Sequence, residues 1–499
     1  MDQIFDVAII GGGINGCGCA ADAALRGLSV ALFEKDDLAS KTSSSSTKLI
    51  HGGLRYLENY EFSMVQKALN ERQRLLRLAP HLVQPQAFVL PYQNHMRSAL
   101  FLRLGLFFYD HLSRKNHLPK CKYINRKQHQ GYFIPLLDTF KRGFLFYDAS
   151  TDDARLTVCN ALQAKKYGAT IKTNSKLIQA KVENNLWHLT IQPQKGSSYT
   201  VQARSLINAT GPWVNEIASL TRIPTQKKMS LIKGSHIVVP SLYKGTHAYF
   251  LQHSDKRIVF VIPYHDYCMI GTTDIEFTGS LDKVEISDDE IHYLIQLVNS
   301  YFRVKLRGKD DIIDTWSGVR PLLAEEGKEL KSISRDYYFE HSSVPAPIIT
   351  IYGGKITTYR QLAEDVVDQL KPQFPDIKNS TTKNHPLPGA EFESMSFDDY
   401  LAYASKKYDW MNHNLLKRYL FSYGSQLEQF AGKCSKMSDL GTLFGDTLYQ
   451  AEVDYLVHQE WARSCDDILK RRTKLGLSLD ESNIRDLATY IEKIIPAIE

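Results

Sequence analysis

The chain has no C-x-x-C pair. Its seven cysteines, Cys17, Cys19, Cys121, Cys159, Cys268, Cys434 and Cys465, are scattered and odd in number. A zinc site or a disulfide framework is therefore not expected, and a reducing compartment is. There is no run of about 18 apolar residues, so no segment is expected to span a bilayer as a helix. There is no D-x-[DN]-x-[DN]-G calcium loop either, and no metal site is expected. Lysine and arginine form no long run, and the net charge is only +6 over 499 residues. That balance does not suggest a dedicated nucleic-acid binder and fits an anionic substrate or an anionic membrane surface. An apolar strand starts by Phe5, which leaves no room for a leader peptide.

The same early strand opens the most informative stretch. FDVAII runs directly into Gly11-Gly12-Gly13-Ile14-Asn15-Gly16, a small-residue helix follows to Gly27, and a second strand, Ser29 to Phe33, ends in Glu34. This is G-x-G-x-x-G in a βαβ unit with an acid about 20 residues on. Gly11 permits the tight turn, Gly13 lets the backbone approach a pyrophosphate, and Gly16 lets helix and strand pack closely. The helix N-terminus offers N–H groups and partial positive charge to phosphates. Glu34 is suited to accept from a ribose diol and disfavours a 2′-phosphate. A dinucleotide other than NADP is expected.

A chain of this length calls for two or three domains. Residues 40 to 60 read as a Ser/Thr-rich loop, ordered by the apolar and glycine residues after it, and then a helix. Residues 61 to 79 form an amphipathic helix ending before Pro80. A helix is expected over 152–168, with strands at 169–173, 178–182, 186–192 and 201–208. The last leads into Ala209-Thr210-Gly211-Pro212-Trp213. Residues 230 to 275 are rich in β signals. PIITIY, 347–352, is a buried strand leading into Gly353-Gly354-Lys355-Ile356-Thr357 and a helix. Pro372, Pro375, Pro386 and Pro388 mark a linker, and from about 395 the pattern is almost wholly helical.

The segments IIGGGINGCGCAADAALRGLSVALFEKDD, TSSSSTKLIHGGLRYLE, INATGPWVN, LIKGSHIVV, IPY with IGTTD, SGVRPL, ISRDYYFE, IYGGKITTYRQLAE and LVHQEWARSCDDILKRRTKLGL are carried in this order. Together they resemble the FAD-dependent glycerol-3-phosphate dehydrogenases of the bacterial aerobic type, over essentially the whole chain. The resemblance implies an α/β fold: a Rossmann-like FAD-binding domain with a β-rich substrate domain (D-amino-acid-oxidase-like) plus a C-terminal all-α domain. The FAD-dependent region would span 1–385, with the substrate domain inserted roughly at 61–145 and 228–345. The helical domain would span 386–499. It further implies oxidation of sn-glycerol 3-phosphate to dihydroxyacetone phosphate by hydride transfer to non-covalent FAD, with electrons passed to a membrane quinone. The expected location is cytoplasmic, peripheral on the cytoplasmic face of the bacterial inner membrane. A homodimer stays open. Two rivals stand beside this reading: an oxidase that uses O₂ directly, and a flavin-binding scaffold without turnover.

Carried over residue by residue, the family's pocket falls on Arg55, Tyr56, His236, Arg320, Arg335 and Lys355. Arg55 and Arg335 would hold the phosphate, since a planar guanidinium pairs two phosphate oxygens at once. Arg320 and Lys355 would face the reacting oxygen. His236 is the natural general base because its ordinary pKa lies near neutrality, with Lys355 or a water as alternatives. Thr273 stands between a substrate contact and a plain buried strand threonine. For FAD the expected contacts are Gly11, Gly13, Gly16 and Glu34, then Ser44, Ser45, Thr47, His51, Gly52, Gly53 and Leu54. Gly211 and the turn Gly353, Gly354, Lys355, Ile356 and Thr357 would meet the flavin ring, and Val182 the adenine.

A quinone is confined to the bilayer, so its reductase must touch the lipid surface. Ala99 to Leu112, with Leu100, Phe101, Leu104, Phe107 and Phe108, is the candidate for monotopic contact. Arg97, Arg103, Arg114 and Lys115 would meet headgroups. The competing reading of this segment is a buried core helix.

Overall fold

The computed structural model describes residues 3–93, 98–113, 116–223, 227, 229–253, 257–323 and 336–495; of Arg55, Glu58 and Asn59 only the backbone is described. The strand Ile4–Ile10 lies in the middle of an eight-stranded sheet. Its parallel neighbours are Val30–Phe33 on one side and Tyr199–Asn208 on the other. Val30 to Phe33 is buried at every position, the run expected of a parallel strand covered on both faces. One face takes the helices Ile14–Leu25, Asp153–Lys166 and Tyr359–Asp368. The other face packs on the hairpin Ser175–Glu183 with Leu186–Pro193. Ile348–Tyr352 adds a further parallel strand, and Tyr338–Ser342 closes that edge antiparallel.

A second, ten-stranded sheet is mostly antiparallel. Its longest pairings join Val83–Tyr92 to Arg142–Thr151 and Met229–Pro240 to Asp314–Leu323. The helix Asp288–Tyr301 covers one face and starts at a capping box between Ser287 and Glu290. The helices Phe62–Leu78 and Ala99–His111 lie on the other. The limits of this sheet differ from the sequence expectation. Arg142–Thr151 pairs in register along its whole length with Val83–Tyr92, so the sheet runs past 145. Leu49–Ile50 joins its edge. Tyr338–Ser342, expected in the substrate domain, pairs instead with Ile348–Tyr352 of the first sheet.

Helices dominate from Phe397 on, including Phe397–Lys407, His413–Tyr423, Gln450–Gln459 and Glu481–Ile494. Their core is drawn from residues 390–495 alone. The expected helix after the serine run is two short 3₁₀ turns, Thr42–Ser44 and Leu54–Asn59, on either side of the strand Leu49–Ile50.

Candidate active site

A cavity of about 380 Å³ lies between the two sheets. Its first wall is the glycine turn. Gly11 has φ +112, and a Cβ there would stand 2.6 Å from the Ala209 carbonyl oxygen, so the turn and the A-T-G loop press together. Gly16 does not line the cavity: its Cβ would fall 1.9 Å from the Gly11 oxygen. Its role is helix packing. The helix N-terminus opens on the cavity through Gly13, Ile14 and Asn15, and the Ile14 N–H donates to Ser43 Oγ at 2.9 Å. Glu34 accepts from the Gly12 and Asp36 N–H groups at 2.6 and 2.8 Å. Burial nevertheless pushes its carboxyl above the usual range.

The opposite end is built from three segments. Gly353 and Gly354, with φ +70 and +100, turn the chain out of its strand, a conformation suited to glycine. Lys355 follows, with Nζ 4.0 Å from the centre of the Tyr56 ring and 3.2 Å from Met64 Sδ. Asn15 Nδ2 donates to the Gly353 carbonyl at 3.1 Å and ties this turn to the first helix. Arg320, on the strand Asp314–Leu323, donates from Nη1 to Asp274 Oδ1 at 2.9 Å and from Nη2 to Thr272 Oγ1 at 3.4 Å. Gly234 makes room for it, since a Cβ there would lie 2.8 Å from Nη2.

Of the expected site residues, Gly11, Gly13, Glu34, Ser45, Thr47, His51, Gly53, Leu54, Tyr56, Gly211, Arg320 and Gly353 to Thr357 all line this one cavity. The Arg55 side chain and the whole of Arg335 lie outside the described residues. Ser44 is not on the wall, and Gly52 sits behind it, its N–H donating to the Tyr109 hydroxyl at 2.8 Å.

His236 also departs from expectation. It is fully buried, and its ring is not on the cavity wall. Nε2 lies 3.0 Å from Thr47 Oγ1, and the ring stacks on Trp316 with centroids 5.5 Å apart. Burial, reinforced by the positive fields of Arg320 and Lys48, holds its pKa well below the ordinary value. Among the described residues, the hydrogen bond of this neutral, enclosed imidazole is to Thr47, which lines the cavity. Thr273 takes the bland alternative: it is buried, accepts from the Ser235 N–H at 2.9 Å and donates to Glu290 Oε1 at 2.7 Å. Val182, the expected adenine contact, does not line the cavity. Ser175, Lys176 and Leu177 touch the cavity at the start of that strand, and Val182 lies about 17 Å further along at the extended rise.

Sequence reasoning missed Asn15, Thr272, Asp274, Trp213 and Leu177. Asp274 and Thr272 stand inside the quoted IGTTD segment, and Asn15 fills a variable position of the glycine motif, so both signals were present but unread.

The residues fit a flavin dinucleotide. The helix N-terminus at Gly13 to Asn15, the acid Glu34 and the cations Arg320 and Lys355 all line the one cavity. Asn15 Oδ1 is buried on this wall with no hydrogen-bond partner among the described residues, an acceptor a ligand N–H or O–H would satisfy. No group of side chains among the described residues suits a metal ion.

Two family models match. One, described as FAD dependent oxidoreductase, covers residues 6–360; the other, the C-terminal domain of alpha-glycerophosphate oxidase, covers 380–495. The aerobic glycerol-3-phosphate dehydrogenase of Escherichia coli K12 is 45% identical over 95% of this chain and 95% of that one. The D-erythritol 1-phosphate dehydrogenase of Brucella abortus is 42% identical over 98% and 97%. Among solved structures, the glycerol-3-phosphate dehydrogenase of Bacillus halodurans complexed with FAD aligns with TM-score 0.77 and 25% identity, over 98% of this chain and 94% of that one.

Proposed function

The chain belongs to the family of FAD-dependent glycerol-3-phosphate dehydrogenases, and from that premise we propose that it works at a membrane surface and hands its electrons to a quinone. Its reaction is oxidation of sn-glycerol 3-phosphate to dihydroxyacetone phosphate with FAD as cofactor. The bound flavin supplies the acceptor for the electron pair leaving the secondary alcohol.

What this chain's residues do follows from their chemistry. Gly11, Gly13 and the helix N-terminus would hold the pyrophosphate, and the Gly353 to Thr357 turn would hold the ring end. The observation that carries the reading is that Arg320 and Lys355 both line the cavity that the glycine turn walls. Arg320, oriented by Asp274 and Thr272, stabilises negative charge on the substrate oxygen as its proton leaves. The proton leaves to a water at the cavity wall beside Lys355, and not to the enclosed His236 ring. Arg55 and Arg335 are assigned the phosphate on the family resemblance alone.

Surface contact is supported by one helix. Ala99–His111 buries Leu102, Leu106 and Tyr109. It exposes Leu100 at 79%, Phe107 at 55% and Leu104 at 52%, with Phe101 and Phe108 beside them. Phe62 continues the patch, 6.2 Å from Phe108, and Arg103 adds an exposed cation. Arg97, Arg114 and Lys115 lie outside the described residues. An exposed apolar patch of this kind marks an interaction surface, and no helix of the described residues is long and apolar enough to cross a membrane.

The test is turnover with glycerol 3-phosphate under three conditions: a soluble quinone, O₂ alone, and D-erythritol 1-phosphate in place of glycerol 3-phosphate. The account expects one dihydroxyacetone phosphate per quinone reduced, with slow turnover on O₂. Faster turnover on O₂ than on quinone contradicts the proposed acceptor. Preference for the tetritol phosphate contradicts the assigned substrate.

A further inference from the structure

The helical C-terminal region has its own core, yet it meets the cofactor-binding region through buried charges. In the turn of helix Asp467–Arg472, Arg471 Nε and Arg472 Nη1 both reach Asp37 Oδ2, at 2.6 and 2.5 Å, and Arg472 Nη2 reaches Oδ1 at 2.7 Å. Arg472 and Asp37 are almost wholly buried. Burial works against the Asp37 charge, but the two guanidiniums hold its carboxyl below the usual carboxylate range. Asp37 stands three residues after Glu34. Beside it Leu38 packs on the glycine turn, and the Ala39 N–H donates to the Gly12 oxygen at 3.0 Å.

A second line starts two residues further on. Lys474 Nζ donates to Asp152 Oδ1 at 2.8 Å. The next residue, Asp153, accepts from Lys48 Nζ at 2.9 Å and from the Ser46 hydroxyl at 2.7 Å. Lys48 Nζ also donates to the Ser44 oxygen at 2.9 Å. Residues 39–43 and 45–47 line the cavity, and two non-glycine residues at positive φ turn this stretch of chain, Ala39 at +58 and, just past Thr47, Lys48 at +55. Such conformations persist only where the surroundings fix them.

We propose that Arg471, Arg472 and Lys474 of the C-terminal region are positioning residues for the cofactor, clamping both loops that wall the dinucleotide cavity. The proposal rests on the flavin reading of that cavity. None of the three lines the cavity; their direct contacts with the cofactor-binding region are to Asp37 and Asp152.

Coupling between two sites is reciprocal, which gives a test on the unaltered chain. The yellow holoprotein and its deflavinated form are compared by hydrogen exchange. Absorbance of the released flavin settles separately whether the cavity bound FAD at all. With FAD bound, residues 467–475 should exchange at least tenfold more slowly than without it, alongside 36–48. Equal exchange of 467–475 in the two forms, with 36–48 responding, overturns the clamp. In parallel, Arg472→Met and the milder Lys474→Gln should each raise the Kd for FAD tenfold or more, while a proteolysis-resistant C-terminal region persists. Unchanged FAD affinity with the region docked or released assigns these contacts to domain attachment alone.

Discussion

Arg320 and Lys355 bear most of the chemical argument, and each can be removed without touching the pyrophosphate end. Arg320→Ala and Lys355→Ala should therefore purify yellow but accept electrons from glycerol 3-phosphate slowly. Loss of one charge stabiliser of this kind costs on the order of 10²–10³ in rate. Stopped-flow reduction measures it, and a colourless protein would move the residue into flavin binding. His236 reaches a cavity residue by its hydrogen bond with Thr47, so His236→Gln and Thr47→Val should slow turnover by similar factors, and the double variant should be no slower than either. A loss at His236 far exceeding that at Thr47 would restore it as the base. The residues legible in the sequence were those in contiguous motifs: the glycine turn, Tyr56, and Gly353 to Thr357. The enclosure of His236 was not legible, because a strand's burial and its stacking on Trp316 are not visible along the chain. Leu177 escaped because its place at the cavity depends on a hairpin pairing, with Ile191, that the chain does not show.

At the scale of elements, the helix Ala99–His111 is apolar on both faces, which is why its sequence fits a core helix and a surface anchor equally. The structure divides the two roles by position: Leu102, Leu106 and Tyr109 inward, Leu100, Leu104 and Phe107 outward. Phe107→Ser with Phe108→Ser should weaken flotation with anionic liposomes severalfold and leave activity with a soluble acceptor unchanged, since outward side chains contribute little to folding. Insoluble or colourless protein would assign that face to the core. The long helices and parallel strands were readable from period and burial. The limits of the second sheet were not, because Leu49–Ile50 is too short to carry a pattern and the Arg142–Thr151 register depends on its distant partner.

The whole molecule buries several neutral histidines. Burial holds His81 at about 3 and His247 at about 4, and His236 well below its ordinary value. Unfolding frees them to take protons below about 6.5, so their contribution is complete above that pH and is lost as pH falls toward 4. Each proton taken up on unfolding costs about 1.4 kcal/mol of stability per pH unit. Denaturant midpoints should fall steeply between pH 6.5 and 4 and stay nearly level between 7 and 8. His81→Phe should flatten the acid limb, and an unchanged slope would remove His81 from it. The C-terminal segment RRTK carried no readable chemistry in the sequence because its partners, Asp37 and Asp152, lie more than three hundred residues away along the chain. The central claim, that this cavity joins a flavin to a polyol phosphate for oxidation, is tested most directly by adding glycerol 3-phosphate to the yellow protein without oxygen. The account predicts that the flavin absorbance bleaches fully, that one dihydroxyacetone phosphate appears per flavin, and that glycerol bleaches it far more slowly. A flavin that keeps its oxidised spectrum in saturating glycerol 3-phosphate would contradict it.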